Sequence, residues 1–154
     1  MITLRAYQAA LVEEVREAYR ARARSVIMQL ATGGGKTATA SALIARAVEA
    51  GRRVIFASHL DALIDDTSER LAAAGIEHGI VQADRPTNAT APVQVCSLAT
   101  LHRRGERPPA DLVIVDECHR AMADSVRGVL ESYPKARILG LTATPERGDG
   151  APLG

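Results

Sequence analysis

The chain has 154 residues, enough to bury the core of one domain, with 47% apolar residues, 24% charged residues and a net charge of +1. That is the balance of a soluble globular protein, and bulk charge gives no sign of a polyanion binder. No apolar run approaches the ~20 residues needed to cross a bilayer, and Met1–Arg5 lacks the layout of a signal peptide, so no membrane association and a cytoplasmic location are expected.

The first element is a helix over 4–21, where Leu4, Tyr7, Leu11, Val15, Ala18 and Tyr19 recur at helical spacing and Thr3 is a candidate N-cap. Ser25–Leu30 is a short apolar strand. It leads into Ala31-Thr32-Gly33-Gly34-Gly35-Lys36-Thr37, and residues 37–50 form an alanine-rich helix ended by Gly51. Arg53–Ala57 is a strand. A helix over 60–73 follows, closed by Gly75. His78–Gln82 is a weaker strand, and 83–91 is a polar loop. Val93–Ser97 is a strand with a short helical turn after it at Leu98–Leu101. The stretch 103–110, with Pro108-Pro109, is an exposed loop.

Leu112–Val115 is apolar throughout, as a central parallel strand should be. It runs into Asp116-Glu117-Cys118-His119. An amphipathic helix over 122–133 and a strand at Arg137–Leu141 complete the alternation, with Thr142-Ala143-Thr144-Pro145 after the strand and a Gly/Pro-rich linker or tail at 146–154. Strands alternating with helices predict an α/β fold, a mainly parallel sheet flanked by helices in three layers, with ligands at the carboxyl ends of the strands. Cys96 and Cys118 each end a predicted strand. Reduced thiols are expected there, and no metal-ligand spacing is present.

The chemistry concentrates in two places. A strand, a glycine-rich turn ending Gly-Lys-Thr and a helix make a phosphate-binding loop. Thr32, Gly33, Gly34 and Gly35 supply backbone N–H groups, Lys36 reaches the β- and γ-phosphates, and the Thr37 hydroxyl holds Mg²⁺. Leu30 stands where the common form of this motif has its first glycine. The bland alternative is a glycine-rich turn with an incidental lysine. Asp116-Glu117 is the second place: one carboxylate for Mg²⁺ and its neighbour to orient or deprotonate water. Taken alone, the pair would equally suit a solvated helix N-terminus.

In motif order, these runs resemble the first RecA-like, P-loop domain of superfamily 2 DEAD/DEAH-like helicases. Ile114-Val115-Asp116-Glu117-Cys118-His119-Arg120 and Gly140-Leu141-Thr142-Ala143-Thr144-Pro145 resemble the DECH branch, which includes type III restriction helicase subunits and RadD-like proteins. The family tolerates a non-glycine at the Leu30 position. The resemblance implies ATP and Mg²⁺ as cofactors, with Asp116 on the metal and Glu117 as catalytic base. It implies adenine recognition by Gln8 within Leu4-Arg5-Ala6-Tyr7-Gln8, supported by Arg5. It implies coupling of ATP state to domain closure through His119, Thr142 and Thr144. It also implies nucleic-acid backbone contacts at Ser58, His59, Ser97 and Thr100, to DNA rather than RNA, with Arg103, Arg104 and Arg107 as a possible extension.

Such a motor needs a second RecA-like domain with an arginine finger, worth ~10³–10⁵ in rate. Residues 1–145 correspond to the first domain only. Half a motor is therefore expected, completed by a second domain or a partner chain. The rival readings are a non-catalytic nucleotide or nucleic-acid binding module acting through a partner, and a stand-alone P-loop ATPase.

Overall fold

In a computed structural model, the described residues are 4–31, 35–82, 88, 90–104, 108–116 and 124–144. They form α1 (Ala6–Arg20), β1 (Ser25–Ala31), α2 (Lys36–Glu49), β2 (Val54–Ser58), α3 (Asp61–Ala73), β3 (His78–Val81), β4 (Val93–Ser97), α4 (Leu98–Arg104), β5 (Leu112–Asp116), α5 (Asp124–Glu131) and β6 (Arg137–Thr144). The six strands make one sheet in the order β1-β6-β5-β2-β4-β3, and every pairing is parallel. The expected fold class is the one observed.

Alternation along the strands divides the core between the two faces. Met28 and Leu30 of β1, Val54 and Phe56 of β2, Ile114 of β5 and Leu139 and Leu141 of β6 pack with α1, α2 and α3 through Val12, Val15, Ala40, Ile44, Ile64 and Leu71. Their neighbours Ile55, Ala57, Cys96, Val113 and Val115 face the other way, onto Leu98 and Leu101 of α4 and Val129 of α5. Each central strand is thus apolar on both sides, which is why Leu-Val-Ile-Val at 112–115 carries no alternation.

Several boundaries differ from the sequence reading, three of them at α1, α4 and β6. Arg5 is the N-cap of α1, and Thr3 lies outside the described residues; the Arg5 N–H donates to the Gln8 side-chain oxygen at 2.8 Å, a bond that starts the helix later than the apolar pattern does. The short turn after β4 continues as a helix to Arg104. Thr142, Ala143 and Thr144 do not follow β6 but form its end, because β1 is long enough to pair with them.

Helices α1, α2 and α3 end in the same way. In each, the residue two beyond the helix donates to a carbonyl of the last turn and the next N–H reaches one residue further back. The pairs are Arg22 to Tyr19 with Ala23 to Ala18, Gly51 to Val48 with Arg52 to Ala47, and Gly75 to Ala72 with Ile76 to Leu71. The turning residue has positive φ each time, 71° at Arg22, 77° at Gly51 and 74° at Gly75. Among the described residues Arg22 is the sole non-glycine in that region. For an L-residue it costs about 1–2 kcal/mol.

Candidate nucleotide and nucleic-acid site

Apart from Arg5 and Gln8, at the start of α1, the predicted site residues that are described lie at the carboxyl ends of the strands or in the first turns of the helices after them. The phosphate-loop candidate begins where β1 ends. Thr32, Gly33 and Gly34 lie outside the described residues, as do Glu117, Cys118 and His119. Gly35 is the N-cap of α2, in left-handed conformation with φ 76° and ψ 38°. Among the described residues no side chain caps this helix, and its first turn carries no acidic residue. The first N–H groups and partial positive charge of such a helix start suit an anion. Lys36 and Thr37 are the first two residues of the helix. One turn on, the Thr39 hydroxyl donates to the Gly35 carbonyl at 3.0 Å and the Ser41 hydroxyl to that of Thr37 at 2.8 Å, which pins the first turn.

Gly35 touches the N-terminal helix. A Cβ built on Gly35 would lie 2.0 Å from the Gln8 side-chain nitrogen. Gln8 is 5% exposed, and its carboxamide joins the Arg5 backbone on one side to Gly35 on the other. The sequence gives no sign of this contact, since the two residues belong to separate motifs. It brings the adenine-recognition candidate and the phosphate-loop candidate together. The Arg5 side chain is exposed.

Asp116 is the last residue of β5 and is 2% exposed. Pairing sets it level with Leu141 of β6, and Leu141 level with Met28 of β1. Two strand spacings put Asp116 about 10 Å across the sheet from Met28, while β1 runs three residues further, to Ala31, before its loop. Between them lies the end of β6. Thr142, buried, is beside Gln29, and Thr144 is beside Ala31. β6, which ends in the threonine run, thus lies between the strand carrying the carboxylate and the strand feeding the loop. Among the described residues no three or more His, Cys, Asp or Glu side chains gather into a metal cage. A helix N-terminus, a glycine at the closest approach and one buried carboxylate suit Mg²⁺ carried on substrate phosphates, which keeps several of its waters.

The four nucleic-acid candidates fall at the ends of two adjacent strands, with Ser58 and Ser97 directly paired in register. Ser58 is fully buried and accepts the Leu60 N–H at 3.1 Å. Ser97 is the N-cap of α4 and accepts the Thr100 N–H at 3.3 Å. Thr100 is 2% exposed, and His59 alone of the four is exposed. Both serine hydroxyls therefore fix helix starts. Next to Ser97, burial pushes the Cys96 thiol up to about 12, so it stays protonated and inert. No helix among the described residues is long and apolar enough to cross a membrane.

Comparison with known proteins shows the family and the fold. The family described as "Type III restriction enzyme, res subunit" matches residues 1–147. A 51.5 kDa protein of a Lactococcus phage is 30% identical over 126 residues, covering 80% of this chain and 25% of the phage protein. The type I restriction enzyme EcoAI endonuclease subunit of Escherichia coli is 28% identical, over 92% of this chain and 19% of that protein. Among solved structures, the UvsW helicase from bacteriophage T4 superposes with a TM-score of 0.72 at 19% identity, over 92% of this chain and 52% of that one. A nuclease-deletion mutant of the Type ISP restriction-modification enzyme LlaGI, in complex with a DNA substrate mimic, gives the same TM-score at 17% identity, over 94% and 18%. These two likenesses concern the fold. The chain spans about a quarter or less of the curated relatives' lengths.

Proposed function

This chain belongs to the type III restriction enzyme res-subunit family, within the superfamily 2 helicases, and on that footing we propose that it is the ATP-binding, first RecA-like domain of a DNA helicase or translocase. The observation that supports the reading most is the contact between Gln8 and Gly35. It joins a base-reading amide to a phosphate-binding helix N-terminus. That junction has no use in a module that binds nucleic acid alone.

In this reading the helix N-terminus behind Gly35 and the Lys36 ammonium take the β- and γ-phosphates. Thr37 and Asp116 hold Mg²⁺, which when bound neutralises charge on the phosphates. Asp116 is suited to this because a buried carboxylate is strongly stabilised by a nearby cation. Glu117 orients or deprotonates water. Gln8 holds the adenine edge, and its bond to the Arg5 backbone keeps the carboxamide oriented. Thr142 and Thr144, with His119, relay the state of the nucleotide through β6. His59, beside the buried Ser58 and Ser97, meets the nucleic-acid backbone, with the serines and Thr100 shaping that end of the sheet. A second RecA-like domain, on polypeptide outside this chain, closes over the site and brings an arginine finger.

The test is ATP turnover by the chain, with and without single- and double-stranded DNA, beside Lys36→Ala and Asp116→Asn. Nucleotide binding with weak turnover in the wild type, lost in Lys36→Ala, supports the reading. Turnover unaffected by either substitution would sink it.

A further inference from the structure

A cationic corner lies at the opposite end of the sheet from the nucleotide site. The end of α1 and the first residues of β1 and β6 meet there. The Arg24 carbonyl accepts the Ile138 N–H at 2.8 Å. The Arg24 guanidinium donates to the Tyr133 carbonyl at 3.0 Å and the Ala136 carbonyl at 3.4 Å. The Tyr19 hydroxyl donates to the Ile138 carbonyl at 2.8 Å, and the Arg137 guanidinium lies over the Tyr19 ring, 5.2 Å from its centre. These bonds gather Arg20, Arg22, Arg24, Lys135 and Arg137, all exposed. Among the described residues none of the five makes an ion pair with a carboxylate; the ion pairs join Glu13 to Arg16 and Arg46, and Asp66 to Arg70. Asp111, at the foot of the neighbouring β5, accepts the Arg53 backbone N–H. In a chain of net charge +1, five such cations at one corner are a marked local excess.

Arg22 adds a second, independent observation. It occupies the left-handed turn position that glycine occupies after α2 and α3. A glycine would make the same two backbone bonds without steric cost. An arginine held in a strained position points from the outlier towards function, and the only thing this side chain adds to the turn is its charge at the corner.

We infer that this corner is a second nucleic-acid contact, gripping the phosphate backbone without reading sequence, distinct from the one proposed at the carboxyl ends of the strands. Four of the five cations are guanidinium groups, whose fork matches a phosphate. Among the described residues the exposed large apolar side chains are Tyr7, Ile27 and Leu60, none of them part of the corner. A protein interface needs such an anchor at its centre, whereas a phosphate-backbone contact does not. The inference does not depend on ATP binding.

Anisotropy titration of a short labelled DNA duplex of arbitrary sequence, without nucleotide, tests it across 50–200 mM salt. Removing one cation that neutralises a phosphate lowers the slope of log K against log salt by about 0.9, so the triple variant Arg20→Gln, Arg22→Gly, Lys135→Gln should reduce the slope by about 2–3. Arg22→Gly alone should weaken duplex binding while its Tm equals or exceeds that of the wild type, which separates loss of charge from loss of fold. Poly-L-glutamate is the competing ligand. An unchanged slope in the triple variant overturns the inference. So does a triple variant that keeps its duplex affinity but no longer binds poly-L-glutamate, which assigns the corner to an acidic protein.

Discussion

Substituting Gly35 by alanine tests the junction between the first helix and the phosphate loop. Two separate terms oppose the new methyl group. The backbone has φ 76°, where an L-residue costs about 1–2 kcal/mol. The methyl carbon would also sit 2.0 Å from the Gln8 side-chain nitrogen, so the carboxamide must move. Gln8 is 5% exposed and holds the Arg5 N–H at 2.8 Å. Disturbing a buried amide of that kind costs a further ~1–3 kcal/mol. Gly35→Ala should therefore destabilise the chain by about 2–5 kcal/mol. In a Gln8→Ala background the second term disappears, and the same substitution should cost only the backbone term of about 1–2 kcal/mol. Urea unfolding of the four proteins of this double-mutant cycle measures the difference. A cost of Gly35→Ala that is equal in both backgrounds would refute the claim that Gln8 and Gly35 are packed together.

Other outcomes follow from single contacts. Ser97→Ala should lower stability by about 1 kcal/mol, or about 2–4 °C in Tm, because it removes the cap of α4. Tyr19→Phe should cost about 1 kcal/mol near neutral pH, as the hydrogen bond from its hydroxyl to the Ile138 carbonyl is lost. Burial, partly opposed by Arg137, raises the Tyr19 phenol from 10.0 to about 12, so the folded state resists ionisation. Since the folded pKa lies above the unfolded one, wild-type stability relative to Tyr19→Phe is intact below pH 10.0 and falls between there and about 12; a parallel pH series of unfolding curves shows it. In a Cys118→Ser background, Cys96 should resist alkylation at mildly alkaline pH until the chain is unfolded, because burial holds its thiol protonated. Rapid labelling of the folded chain would contradict the packing of β4.

Much of the fold is legible in the sequence because its signals are local. Leu112–Val115 carries apolar residues on both faces, and Gly51 and Gly75 mark the ends of their helices. The end of β6 is not legible. Thr142 to Thr144 are turn-forming in type, and only pairing with Gln29 to Ala31 makes them strand. The cap of α1 is hidden for a related reason, since Thr3 is the better cap by residue type but the Gln8 side chain selects Arg5. At the candidate site the residue types are readable and their roles less so. Ser58 and Ser97 read as hydroxyls for a ligand, yet each turns its oxygen to a backbone N–H at the start of the next helix. The contact of Gln8 with Gly35 and the gathering of Arg22, Arg24 and Arg137 both depend on which strands are neighbours. No window of sequence contains that.

The central claim is that β1, Gly35 and the start of α2 form a nucleotide triphosphate site. Equilibrium binding of Mg-ATP by calorimetry, on the wild-type chain and on Lys36→Ala at equal folded stability, addresses it most directly. Saturable one-to-one binding that requires Mg²⁺ is expected, weakened at least tenfold, about 1.4 kcal/mol, by Lys36→Ala. Absence of binding in the wild type, or equal binding by both proteins, would contradict it.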